Sequence, residues 1–96
     1  MIEIIPAILA LDQASFLRDL HAIGTTAPLL HIDICDGKFV EMITWADPTV
    51  LANEFEVDVE LHLMVEDPQK ELERWANIPH ITRALIHLES LPNFSS

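Results

Sequence analysis

Cysteine occurs once in this 96-residue chain, as Cys35, so no internal disulfide can form and a reducing compartment suits it. Basic residues are also scarce. Five Lys and Arg stand against sixteen Asp and Glu, for a formal charge of −11. That balance disfavours nucleic acid and anionic membrane as partners, because neutralising phosphates requires clustered cations. The acids are scattered along the chain, which reads as a solvated, self-repelling surface. No apolar run approaches the roughly twenty residues of a membrane span. Glu3 interrupts the N-terminus too early for the basic start and apolar run of a signal peptide, so cytoplasm is the expected compartment.

Hydrophobic residues make up 50% of the chain, which places it with globular proteins rather than disordered ones. Its length allows one domain with a modest core. The apolar pattern alternates between strand and helix periods, which predicts β/α units and a parallel sheet. Residues 3–9 read as a first strand. Asp12 is placed to cap a helix whose stripe is Phe16, Leu17, Leu20 and Ile23, with Gly24 ending it. A second strand follows over residues 29–35, closed by an Asp36-Gly37 turn. Asp47-Pro48 and Asp67-Pro68 each pair a capping acid with proline at the first helical position. The first opens a short helix with Val50, Leu51 and Phe55. The second opens a helix with Leu72, Trp75 and Ala76 on its buried side, while Glu71 and Glu73 read as solvated. Between these helices lies a third strand, residues 57–65. A fourth covers residues 81–89, and residues 91–96 read as a frayed end.

The chemistry concentrates on strands two and three. Successive strand side chains point to opposite faces, so His31, Asp33 and Cys35 share one face and Leu30, Ile32 and Ile34 the other. Glu60, His62 and Met64 likewise oppose Val59, Leu61, Leu63 and Val65. Parallel strands covered on both faces read as continuous aliphatic runs. A polar parity on both strands therefore predicts a face lining something hydrated, catalytic or metal-bound, as at the mouth of a (β/α) barrel. The plainer alternative for His31 and His62 is a strand histidine satisfied by a neighbouring carboxylate. Cys35 reads as a small packed residue with no base to activate it. His87 and Glu89 share a parity and face inward near the mouth. His21 and His80 read as solvated, and Trp45 either caps the pocket or covers the barrel rim.

These motifs carry a family resemblance. PAIL at residues 6–9, HIDICDGKFV at 31–40, ELHLMVEDP at 60–68 and IHLES at 86–90 resemble, in order and spacing, motifs of the ribulose-phosphate 3-epimerase family. The resemblance implies that residues 1–96 are the N-terminal half of a ribulose-phosphate-binding TIM (β/α)8 barrel, strands one to four with intervening helices. It implies an isomerase of the pentose phosphate pathway that interconverts ribulose 5-phosphate and xylulose 5-phosphate by moving a proton at C3. It further implies a divalent zinc, iron or manganese ion held by His31, Asp33 and His62, with Asp33 also the catalytic acid. Met64, His87 and Glu89 are the implied substrate-binding residues.

The departures mark a divergent branch. Ala7 stands where the family has serine, Cys35 where it has methionine, and Glu41-Met42 where it has Pro-Asn. A (β/α)8 barrel takes about 250 residues. The family's second aspartate and its phosphate-binding glycine loops lie on later strands, and two glycines in total cannot replace them. The expectation is therefore a truncated product, weak or inactive alone. The partners expected are a phosphorylated pentulose and either a second copy or a separate C-terminal half. A non-catalytic half-barrel used for assembly or binding is the main alternative. A phosphate-barrel decarboxylase fits poorly, since its D-x-K-x-x-D would fall on Glu60, His62 and Val65.

Overall fold

The fold is given by a computed structural model that describes residues 2–90. Four parallel strands alternate with helices: β1 (Ala7–Ile8), α1 (Gln13–Ile23), β2 (Leu29–Cys35), α2 (Pro48–Leu51), β3 (Asp58–Met64), α3 (Pro68–Trp75) and β4 (Ile81–Ile86), then a 3-10 turn (Leu88–Ser90). The sheet order follows the sequence, β1-β2-β3-β4, and every neighbouring pair is parallel. This α/β architecture is that of a partial TIM barrel.

Local signals set the helix boundaries. The Asp12 carboxylate accepts the Ser15 N–H at 2.8 Å at the start of α1. At its end Gly24 takes φ +54° and donates its N–H to Leu20 O at 2.9 Å. Asp47 and Asp67 cap α2 and α3 in the same way, each followed by proline, which has no N–H to satisfy. Phe16 and Leu20 of α1, Leu51 of α2 and Trp75 of α3 then bury against Ile8, Leu30, Ile32, Leu61 and Leu63. One side-chain parity of the sheet thus forms the core beneath the helices, at about 1.5–3 kcal/mol for each large side chain fully removed from water. The other parity of β2 and β3 carries the polar residues and is mostly half-buried, apart from exposed Asp58 and buried Cys35.

The structure corrects several boundaries. The first strand is two residues rather than seven, and Ile2 and Ile4 are exposed at 90% and 80%. β1 pairs with β2 only through Ala7 and Ile8, extended by the His31 N–H donating to Pro6 O at 2.9 Å. The fourth strand stops at Ile86, and Glu89 sits on the 3-10 turn. The α2 helix ends before Phe55, which is buried from the following segment. On α3 only Trp75 of the expected stripe is buried, while Leu72 and Ala76 are exposed. Glu71 is not a solvated acid. Its carboxylate accepts the Trp75 indole N–H at 2.9 Å and both oxygens accept from Arg74. Trp45 packs edge-on against Phe16, ring centroids 5.5 Å apart, so it covers the helix-side core at the rim. The expected frayed end at residues 91–96 lies outside the described residues.

Candidate metal and proton-transfer site

Strand register assembles the site. On adjacent parallel strands His31 lies opposite Glu60 and Asp33 opposite His62, with Glu60 in turn opposite Arg83 of β4. A one-residue slip of β2 would turn His31 and Asp33 to the helix face, and the buried aliphatic parity forbids it. Asp33 Oδ1 is the centre. His31 Nε2 and His62 Nδ1 both lie 3.0 Å from it. The outer nitrogens are engaged as well: His31 Nδ1 lies 2.8 Å from Glu60 Oε1, and His62 Nε2 lies 3.1 Å from His87 Nε2. The side chains of Asp33, His31 and His62 are 16%, 19% and 29% exposed, open enough for a small ligand to reach them.

Carboxylates only accept when ionised, so His31 presents an N–H to Glu60 and another to Asp33. Burial alone lowers its pKa. The hydrogen bonds and charges of Glu60 and Asp33 outweigh burial and raise it, favouring the imidazolium. Cys35, by contrast, has its thiol pushed up, first by burial and then by the charges of Asp33 and Asp36. It is therefore an unreactive packed residue, as the sequence predicts.

One ligand atom each from His31, Asp33 and His62 lies within 4.8 Å of the others, the one such group among the described residues. Two imidazole nitrogens and a carboxylate oxygen suit zinc, iron or manganese, so the donor set fits a divalent cation. Met64, paired with Cys35, is half-buried at the end of the same parity of β3. His87 joins the cluster through His62 and packs on Phe39, ring centroids 5.1 Å apart. Glu89 is exposed on its turn and makes no hydrogen bond to the cluster among the described residues.

Three contributors escape the sequence reading. Glu60 was legible only as an acid on the right parity; its pairing with His31 needs the register. Asp36 does more than turn the chain: its carboxylate accepts the N–H groups of Lys38 and Phe39 at 2.8 and 3.1 Å, and that of Glu66 at 2.9 Å. It thereby ties the loop after β2 to the loop after β3. Thr44 folds back on the end of β2, its hydroxyl accepting the Cys35 N–H at 2.9 Å and donating to Asp33 O at 3.1 Å. No spacing rule marks that contact.

Comparison with known proteins identifies the family. A family model described as "Ribulose-phosphate 3 epimerase family" matches residues 3–96. The ribulose-phosphate 3-epimerase of Rhodobacter capsulatus is 32% identical over 99 residues, covering 88% of this chain and 43% of the relative. That of Mycobacterium leprae is 39% identical over 75 residues, covering 76% and 31%. That of Bacillus subtilis is 33% identical over 98 residues, covering 97% and 44%. The chain thus spans less than half the length of these curated relatives. With the match running through the strands that carry His31, Asp33 and His62, the chain belongs to the ribulose-phosphate 3-epimerase family.

Proposed function

We propose that this chain supplies the metal-holding and proton-abstracting wall of a pentulose 5-phosphate 3-epimerase acting on ribulose 5-phosphate and xylulose 5-phosphate. The observation that carries the reading is the convergence of His31, Asp33 and His62 within 4.8 Å on one open face of the sheet. Those three residues would hold the ion, be it zinc, iron or manganese. When bound, a divalent cation supplies Lewis-acid stabilisation of the oxygen charge that develops as the substrate loses its proton. Asp33 is the base: a carboxylate on this wall takes the C3 proton from one face of the sugar and returns it. His31 and His62 fix its orientation through the two 3.0 Å contacts. Met64, His87 and Glu89 line the approach for the phosphosugar.

On this reading residues 1–96 act as the N-terminal half of a ribulose-phosphate-binding barrel in the cytoplasm. The opposite-face acid and the phosphate site belong to the C-terminal half of such a barrel. Alone, the chain exchanges protons weakly, since the sugar is not held in place. A second reading, a non-catalytic half-barrel used for assembly, is favoured by one feature of the same wall. Ala7 stands opposite His31 where a polar contact to substrate would serve, and exposed Leu85 stands opposite His62.

The test is proton NMR of ribulose 5-phosphate in deuterated water with the metal-loaded chain. Loss of the C3 proton signal, abolished by Asp33→Asn, is the expected result. Absence of exchange at every protein concentration, with metal bound, would contradict a catalytic role and leave the assembly reading.

A further inference from the structure

The two histidines of the wall are held from behind by different groups, and the difference has chemical content. A histidine can offer a lone pair from one ring nitrogen only if the other carries the proton, and the group hydrogen-bonded to the far nitrogen decides which. Behind His31 stands a carboxylate: Glu60 Oε1 lies 2.8 Å from Nδ1. Behind His62 stands a neutral-capable partner, His87 Nε2, 3.1 Å away. Glu60 is itself well shielded, its side chain 12% exposed, and its second oxygen faces Arg83 Nε at 3.8 Å. The strand register places Arg83, Glu60 and His31 side by side across β4, β3 and β2, so the row is built by backbone pairing.

The geometry points to Glu60 as a positioning residue that fixes the Nδ1–H form and ring orientation of His31, presenting Nε2 to the ion beside Asp33. This rests on the metal reading given above and adds a residue to it. A carboxylate acceptor holds the N–H more strongly than a neutral one and in a narrower set of orientations. With Glu60 holding the Nδ1 proton, the proton His31 releases when a cation arrives is the one on Nε2, and the ring need not rotate. Arg83, mostly exposed itself, stands 3.8 Å from the second Glu60 oxygen on the side away from His31. The far nitrogen of His62 meets another imidazole rather than a carboxylate among the described residues, so Glu60 carries the larger share of the preorganisation.

The experiment uses the full chain with 15N-labelled histidine and zinc as the probe. Ring-nitrogen NMR reads the tautomer of His31, and competition with a chelating dye reads zinc affinity. In the unmodified chain the expected result is a proton on His31 Nδ1, with Nε2 taking the shift of a metal-bound nitrogen on zinc addition. Glu60→Ala is expected to weaken zinc binding about 10- to 100-fold and to leave His31 in mixed tautomers, with the His62 nitrogens much less affected. Glu60→Gln, close in shape and still able to accept the N–H through its carbonyl, should keep the tautomer and lose only part of the affinity. It also guards against a failure of the alanine variant to fold. A merely structural role would leave the His31 ring-nitrogen signals unchanged in a folded variant. Unaltered zinc affinity and unaltered His31 signals in a folded Glu60→Ala or Glu60→Gln protein would overturn the inference. Failure of the unmodified chain to bind zinc would instead overturn the metal reading, and the role of Glu60 with it.

Discussion

Replacing Asp36 should separate the two loops that frame the site, and the size of the effect follows from its three acceptor contacts. Its Oδ1 accepts from Lys38 and Phe39, both local, and its Oδ2 accepts from Glu66, thirty positions away in the chain. Hydrogen bonds to a charged group are worth about 1.5–3 kcal/mol when shielded from water. Here the donors of Lys38 and Glu66 are exposed, so water recovers much of that, and Asp36→Ala should cost about 1–2 kcal/mol in total. Asp36→Asn keeps one oxygen for the local turn but presents an amide donor or a neutral oxygen to Glu66, so about half the loss is expected. Urea denaturation followed by circular dichroism measures both.

The pH dependence supplies a signature. Burial would raise the Asp36 pKa, but the backbone N–H groups of Glu66, Phe39 and Lys38 outweigh it and hold the carboxyl below its ordinary value. A folded pKa below the unfolded one means stabilisation that is complete above the ordinary aspartate value of about 4. That stabilisation is lost as pH falls through the lower, folded value. The gap between the unmodified protein and Asp36→Ala should therefore be constant near neutrality and shrink in acid below about 4. Equal urea midpoints at neutral pH, or a gap that persists unchanged into strong acid, would refute this assignment.

Two further substitutions probe the surroundings. Gly37 has φ +79°, and an added Cβ would lie 2.6 Å from Ile43 Cγ1, so Gly37→Ala should destabilise by about 1–2 kcal/mol. Ile43 is exposed and can shift, so the double variant with Ile43→Ala should recover only the steric part, measurable by thermal melting. Glu71→Ala removes the acceptor of the Trp75 indole N–H on a fully packed ring, and about 1–2 kcal/mol of stability should go with it. Urea titration followed by tryptophan fluorescence checks this, and an unchanged midpoint would show that the indole N–H finds water.

Much of the fold was legible because its signals are local. Asp12, Asp47-Pro48 and Asp67-Pro68 announce helix starts by capping chemistry, which acts within one turn. The parity of β2 and β3 is equally local, so His31, Asp33 and His62 could be placed on one face. What escaped depends on neighbours distant in sequence. Residues 3–9 look like strand, but only Ala7 and Ile8 find a ladder, and Ile4 stays exposed. Leu72 shares the helical spacing of Trp75, yet it stays 37% exposed while Trp75 is fully buried. Which acid stands behind which histidine is a matter of register, and parity alone cannot tell Glu60 opposite His31 from Glu60 one pair away. Asp36 reads as a turn residue by type, and its bond to Glu66 follows only from the sheet bringing two loops together.

The most direct measurement is a manganese(II) titration of the isotopically labelled chain, following paramagnetic broadening of assigned NMR signals. At low manganese the expected result is selective broadening of His31, Asp33 and His62 and their strand neighbours, lost in Asp33→Asn. With a formal charge of −11 the chain offers the ion many exposed carboxylates, so the competing outcome is a real one. Broadening spread over exposed acids such as Glu3, Asp58 and Glu73, with His31 and His62 no more affected than the rest, would contradict a metal site on this wall.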